Sequence, residues 1–267
     1  MDADLVYDVG LHRGEDTAYY LKKGYRVVAF EANPELVAHC SRRFSDAIAD
    51  GRLHIVEGAI APPSAGPTVT FYRNAMSIWG TIDDEWVTRN EKIGFGSTTV
   101  EVGRVDVADA FATHGVPYFL KIDIEGADTL VLDALQAFEA RPQYVSIESE
   151  KVHFPDLVRE LEMLGALGYT TFRPVQQRTV PGTAIRTRSL DGHPVEHVFE
   201  ADASGPFGDD LDLEWLTMEE ILLRYRRIFR RYRWIGDNVS LPRRVLRRLL
   251  RTGLGYEVGW YDTHASL

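Results

Sequence analysis

Cysteine is almost absent from this chain. The one cysteine among 267 residues, Cys40, rules out an intrachain disulfide and any multi-cysteine metal cluster. Its neighbours Ala38, His39 and Arg42 read as one helical stretch, so a buried, unreactive thiol is expected there. Long apolar runs are also lacking, and no segment approaches the roughly 20 residues that a membrane-crossing helix needs. No charged-then-apolar leader precedes the first apolar run. These absences lead us to expect a cytoplasmic chain without a membrane span. Internal repeats and low-complexity tracts are missing as well.

Basic charge is in deficit overall. Thirty lysines and arginines face 40 acids, for a formal net charge of −10. A uniform nucleic-acid-binding surface is therefore not indicated. The deficit is uneven, because residues 222 to 251 hold eleven arginines and a single acid, Asp237. A local basic face on C-terminal helices follows. What the chain does have is core material, with 45% hydrophobic residues.

The stretch around which the rest is organised runs from Asp4 to Thr17. Leu5-Val6-Tyr7 reads as a buried strand ending at Asp8. Gly10 and Gly14 then permit a tight turn and a close backbone approach, and a helix closed by Gly24 follows. Strand, glycine turn and helix form the layout of a nucleotide site at the carboxyl edge of a parallel sheet. The glycine spacing departs from G-x-G-x-x-G, and Asp8 would repel a pyrophosphate. Asp8 suits a ligand with a cationic end, such as the ammonium of S-adenosylmethionine (SAM). A second acid, Glu31, ends the apolar run Val27–Phe30, where a carboxylate can accept both ribose hydroxyls. The competing reading, that both acids merely cap turns, is weakened by their occurring together.

Asn33 and Pro34 open a helix expected to run to Asp50. Leu53–Glu57 reads as a third strand whose exit, Glu57-Gly58-Ala59, lies beside the nucleoside. For Glu57 a solvent-exposed strand end competes equally. Extended segments are expected at Val69–Tyr72 and from Thr98 to Val107. Between them, Arg73 to Ser97 is irregular and contains Ser77; we read it as a loop over the cofactor. Val116–Ile122 is the clearest central strand. Two acids, Asp123 and Glu125, leave its tip, where ligands bind in open sheets. Tyr144–Glu148 is the fifth strand, with Glu150, Lys151 and His153 in the loop after it. Further elements are helices at Thr129–Glu139 and Pro155–Leu167, a strand at Tyr169–Phe172 and an antiparallel edge strand at His197–Phe199. Thr217 and Glu220 form a capping box for a helix reaching about Trp234, and another helix is expected over Leu241–Arg251.

The quoted motifs resemble those of the FkbM family of SAM-dependent methyltransferases. The matches are Asp8-Val9-Gly10-Leu11-His12-Arg13-Gly14-Glu15-Asp16-Thr17, Glu31-Ala32-Asn33-Pro34, Lys121-Ile122-Asp123-Ile124-Glu125-Gly126-Ala127-Asp128 and Glu148. They cover roughly residues 4 to 150. The resemblance implies an α/β, Rossmann-like class I methyltransferase fold, with a mostly parallel seven-stranded sheet and helices on both faces. That domain would span residues 1–210. Residues 211–267 would add an arginine-rich helical extension serving as an acceptor or homodimer surface. The implied activity is O-methylation of a sugar or oligosaccharide hydroxyl, a mannoside among the candidates. The cofactor-binding set would be Asp8, Gly10, His12, Gly14, Asp16, Thr17, Glu31, Ala32, Glu57, Gly58, Ala59, Ser77 and Asp123.

A sugar hydroxyl is a poor nucleophile at neutral pH, so a general base or a metal is expected to assist. The catalytic candidates are Asp123, Glu125, Glu148 and His153. Histidine has the best intrinsic pKa for a base, yet a lone loop histidine is more often structural. Glu125 competes as a helix cap. Asp123, Glu148 and Glu150 would supply oxygen ligands suited to Mg²⁺, against the plainer reading of acids lining a polar cleft. Two other functions compete with sugar methylation. One is RNA methylation using the arginine helices on phosphates, disfavoured by the acidic remainder. The other is a non-catalytic SAM-binding interaction protein, disfavoured by the acids at 123, 125 and 148.

Overall fold

The computed structural model describes residues 1–74, 97–124, 126–150, 153–235 and 259–267; the side chains of 73, 74, 97, 98 and 233–235 are outside that description. The expected cofactor loop with Ser77, the candidate Glu125, Lys151 and the helix over 241–251 lie outside the described residues.

The chain starts as strand β1 (Asp2–Val9), helix α1 (Glu15–Lys22) and strand β2 (Arg26–Glu31). Helices α2 (Pro34–Arg43) and α3 (Ser45–Ala49) lead to β3 (Leu53–Glu57). Three strands follow, β4 (Ala59–Ile60), β5 (Thr68–Asn74) and β6 (Ser97–Val105), and then α4 (Val107–His114). Next come β7 (Pro117–Ile122), α5 (Asp128–Leu135), β8 (Tyr144–Glu148), α6 (Phe154–Ala166) and β9 (Thr171–Gln176). The hairpin strands β10 (Ala184–Arg188) and β11 (Pro194–Val198) precede α7 (Met218–Ile235) and the last strand, β12 (Tyr261–Ser266).

The main sheet has seven strands in the order β3-β2-β1-β7-β8-β12-β9. The pairs from β3 to β8 are parallel, and β12 runs antiparallel to both its neighbours. The chain winds outward from β1 to β3, then returns to place β7 on the other flank of β1. The strand order therefore reverses between β1 and β7, and such a reversal opens a crevice beyond the carboxyl ends of the two strands.

The apolar runs are buried on both faces, as parallel strands with helices on each side require. Because side chains alternate along a strand, Leu5, Tyr7 and Val9 of β1 join the core under α4, α5, α6 and α7. Val6 joins the opposite core, with Tyr19, Tyr20, Phe119 and Phe207. Phe119 and Phe207 stack there with centroids 4.1 Å apart. Asp8 falls on that second face by the same alternation, and so is carried into the interior.

Several sequence expectations hold and several need correction. Asn33 caps α2, its side chain accepting from the Glu35 amide at 3.0 Å, with Pro34 in the first turn. The Thr217/Glu220 capping box forms in both directions. The helix expected over 34–50 breaks at Phe44, whose ring lies directly beneath Gly14. The helix after β7 ends at Leu135 rather than Glu139, and β9 begins at Thr171 rather than Tyr169. His197 and Val198 do not form the antiparallel strand of the main sheet; they belong to the separate β10–β11 hairpin. The antiparallel place is taken by β12, so the part of the chain assigned to a helical extension returns to complete the sheet. Its sequence, Tyr-Asp-Thr-His-Ala-Ser, has no apolar run to announce a buried strand, yet Thr263, His264 and Ala265 are buried.

Candidate functional site

The crevice between β1 and β7 is shaped by backbone. Gly10, just past β1, has φ +97°, and a Cβ there would stand 2.0 Å from the Asp123 carbonyl oxygen. Only glycine lets the two chains leave their strands so close together. The turn is pinned by the amides of Gly10 and Leu11, which both donate to the Phe30 carbonyl at 3.2 and 2.9 Å. Asp123 is tied to the other side of the crevice by its own amide, donating to Val9 O at 2.9 Å.

Behind this turn lies a buried charge cluster. Lys121 Nζ donates to Asp8 Oδ1 at 3.2 Å and to the Gly10 carbonyl at 3.0 Å, and it pairs with Asp16 at 3.3 Å. Thr17 Oγ1 donates to the other Asp8 oxygen at 2.6 Å. The Ser204 amide donates to Asp16 at 2.9 Å. Burial works against the Lys121 ammonium, but the Asp8 and Asp16 carboxylates outweigh it and lift its pKa well above the ordinary value. Burial likewise raises Asp16 to about 6, against the attraction of Lys121. Asp8 has no exposed surface and both its oxygens are taken. In this structure the cation that meets Asp8 is Lys121. Asp8, Asp16 and Thr17 are buried directly behind the glycine turn.

Glu31 ends β2 with both oxygens held by backbone amides. His12 N donates to Oε2 and Asn33 N to Oε1, each at 2.8 Å. Burial pushes its carboxyl up to about 7, against the pull of those two bonds. Each carboxylate oxygen has a further lone pair, so two more donors can be accepted. Ala32 packs against Ala59, Phe71 and Val102, an apolar cluster beside Glu31. Gly58 N donates to the Glu31 carbonyl at 2.9 Å, which holds the two strand exits together. Glu57 is exposed and sits across from Glu31 in the β2–β3 register. His12 adopts a left-handed φ of 51°. Its Nδ1 faces the Glu15 carboxylate at 3.1 Å, while its Nε2 is buried without a hydrogen-bond partner.

On the other side of the crevice the acids crowd. The Asp123 side chain is 41% exposed and lies 3.8 Å from Lys121 Nζ. Asp128 receives the amides of Ile124 and Gly126, both at 3.2 Å, and so shapes the turn after Asp123. Burial raises it to about 7, with Asp123 and Glu148 adding to the effect. Glu148 stands in register with Asp262 of β12. Burial, then the charges of Asp123 and Glu148, hold the Asp262 carboxyl well above the carboxylate range. Glu160 is raised to about 8 by burial and accepts the Glu150 amide at 3.2 Å. Glu150 in turn accepts the His153 amide at 3.0 Å. The His153 residue is exposed at the start of α6 and makes no side-chain cap bond.

The expected Mg²⁺ trio of Asp123, Glu148 and Glu150 is not brought together. Among the described residues, the set whose ligand atoms all lie within 4.8 Å of one another is His12, Glu15 and Asp202. The Glu150 carboxylate accepts the His153 amide, and its own backbone amide donates to Glu160. Four residues of the site were not singled out as candidates from the sequence. Lys121 and Asp128 stand in the quoted motif, and a lysine inside an otherwise apolar strand was the usable signal. Asp262 and Glu160 had none.

The elements of the site fit a nucleoside with a vicinal diol. Glu31 offers free acceptor capacity, His12 Nε2 is unpartnered, and the backbone at Gly10 has no Cβ in the way. Residues 8–171 match the methyltransferase FkbM domain. No curated protein matches the chain. Among solved structures, the C-terminal domain of precorrin-6Y C5,15-methyltransferase from Rhodobacter capsulatus is 14% identical, with 75% of this chain and 77% of that one covered and a TM-score of 0.39. An O-methyltransferase from Bacillus cereus in complex with SAH is 12% identical, covering 71% and 70% with a TM-score of 0.34. A putative RNA methyltransferase from Pyrococcus horikoshii is 13% identical, covering 73% and 71% with a TM-score of 0.36.

Proposed function

The chain belongs to the FkbM methyltransferase family, and on that premise we propose that it transfers a methyl group from SAM to a hydroxyl of a sugar or oligosaccharide. The observation that carries this reading is the pair of carboxylates flanking the crevice. Glu31, held by two amides, stands on one side, and the half-exposed Asp123 on the other. When bound, SAM supplies an electrophilic methyl on a sulfonium. Glu31 accepts the ribose hydroxyls, the Ala32–Ala59 cluster lies against the base, and Gly10 allows the methionine end to approach the backbone.

Asp123 serves the acceptor. Its carboxylate takes a hydrogen bond from the attacking hydroxyl and orients that oxygen in line with the carbon–sulfur bond, which is largely a matter of positioning. Bound SAM would supply the methyl and leave as its demethylated product, and Asp123 would take the proton that the hydroxyl gives up. Asp123 takes precedence over His153 as base because it borders the crevice. Calorimetric titration with SAM and with its demethylated product tests the premise. Glu31→Gln keeps the shape and removes the charge, and it should weaken both affinities about tenfold or more. Unchanged affinity would remove Glu31 from the cofactor site.

A further inference from the structure

Three acids stand level across three neighbouring strands at the carboxyl edge of the sheet. Ile122 of β7 pairs with Ile147 of β8, so the residues that follow, Asp123 and Glu148, are also level, and Glu148 is in register with Asp262 of β12. The three share a face as well. Ile122, Ile147 and Ala265 belong to the core under α4, α5, α6 and α7, and Tyr261 packs against it. Side chains alternate along a strand, so Asp123, Glu148 and Asp262 turn to the opposite face, that of Lys121. Two contacts agree with this placement. Asp123 lies 3.8 Å from Lys121 Nζ, and His264, two residues along β12, stacks with Phe119 of the second core at 6.3 Å. Neighbouring strands lie about 4.8 Å apart, which makes a row of carboxyls roughly 10 Å long.

Asp262 is the unusual member of the row. It is 5% exposed, and among the described residues its carboxyl has no hydrogen-bond or ion-pair partner. A buried carboxyl left unpaired costs free energy. The strand cannot turn away to relieve it, because β12 is pinned on its other face, where Thr263 Oγ1 lies 2.7 Å from Ser149 Oγ and 2.6 Å from Tyr225 OH. Asp262 is thus held in place without being used by the fold. A ligand that extends along the row from the half-exposed Asp123 supplies the missing partner. We propose that this row is the acceptor subsite and that it takes an uncharged sugar ring, with Glu148 and Asp262 binding hydroxyls next to the one that Asp123 receives. The proposal rests on the methyltransferase reading above and adds to it the residues that hold the acceptor and the acceptor's lack of charge. Burial and the charges of Asp123 and Glu148 favour the protonated form of Asp262, so it donates where the two carboxylates accept. Sugar hydroxyls do both. A phosphate or carboxylate on the sugar would be repelled by Asp123 and Glu148. An ammonium would pair with those two but leave the Asp262 proton without an acceptor.

The test is calorimetric, on the full chain saturated with the demethylated product of SAM. The methyl glycosides of mannose, glucose and galactose are titrated in turn, with glucuronate and glucosamine as charged counterparts. At least one uncharged glycoside should bind, and about tenfold or more tighter than either charged sugar. Asp262→Ala should weaken that binding by about tenfold or more, whereas Asp262→Asn, which keeps a donor in the same place, should stay within about threefold of the parent. Neither variant should lower Tm, because the fold loses no hydrogen bond. Neither should change the affinity for the demethylated product, which is titrated separately into each. Preference for a charged sugar, binding of no sugar, or unaltered sugar binding in Asp262→Ala overturns the proposal. So does a fall in Tm in both variants, which would assign Asp262 to the fold, or weakened binding of the demethylated product, which would assign it to the cofactor. Failure of the demethylated product to bind the parent protein sinks the methyltransferase reading itself, whereas its normal binding with no uncharged sugar bound sinks only the acceptor row.

Discussion

The two sides of the crevice handle charge in opposite ways. Under the glycine turn, Lys121 lies amid Asp8 and Asp16, and Thr17, Ser204 and the Gly10 carbonyl complete their hydrogen bonds. Beyond β7 and β8, Asp123, Asp128, Glu148 and Asp262 influence one another. Charge is paired and enclosed on the first side; it is crowded and half open on the second. An enclosed, paired cluster keeps a shape, whereas crowded acids change protonation readily and are found where proton chemistry is done. The contrast teaches that the side under the glycine turn is fixed in advance, whereas the side beyond β7 and β8 holds the groups able to respond.

The largest expected effect breaks the balanced side. Lys121→Met leaves two buried carboxylates without their cation, and chemical denaturation should show a loss of about 3–5 kcal/mol. A loss under 1 kcal/mol would mean that Asp8 and Asp16 are not charged together. On the crowded side, Asp123→Asn should lower kcat by roughly 10² to 10⁴, with the Kd for SAM nearly unmoved. If the Kd rises and kcat holds, Asp123 belongs to the cofactor instead.

A third test uses pH. The folded-state pKa values of Glu160, about 8, and Asp128, about 7, lie above those of unfolded chains, as do those of Glu31, about 7, and Asp16, about 6. The folded protein therefore binds protons that the unfolded chain has released. The resulting stability is complete below about pH 4 and is lost as pH rises through 6 to 8. Tm should fall over that window, and Glu160→Gln should flatten the fall by up to about 1.4 kcal/mol per pH unit. A parallel curve would place the Glu160 proton elsewhere. The smallest effect is expected far from both sides. Arg26→Ala removes an exposed pair with Asp4 at 2.9 Å, and denaturation should register less than about 1 kcal/mol.

The readable part of the fold was the part whose chemistry is local. β1, β2, β3, β7 and β8 are short apolar runs with an acid at or just past the tip, and the runs gave both their places and the row of acids. Gly10 and Gly14 marked the turn, and both take positive φ. What could not be read depended on partners distant in sequence. Nothing near Asp8 in sequence shows that Lys121, 113 positions away, donates to one of its oxygens. β12 is polar and buried through hydroxyl bonds, so it gave no hydrophobic signal. Spacing along the chain also does not show that the Glu150 carboxylate accepts the His153 amide.

β12 has a consequence for how the protein comes to exist. The strand lies between β8 and β9, which are both synthesised far ahead of it, so a nascent chain holds those two edges open while the intervening residues leave the ribosome. Such non-local pairing is slow to form, and unpaired strand edges invite association with other chains. β12 also carries Asp262. The strands that frame the cofactor crevice, β1, β2, β3 and β7, can pair before this residue is made, but the acid cluster can assemble only afterwards. The side of the crevice under the glycine turn can thus form in the growing chain before the side that carries the crowded acids.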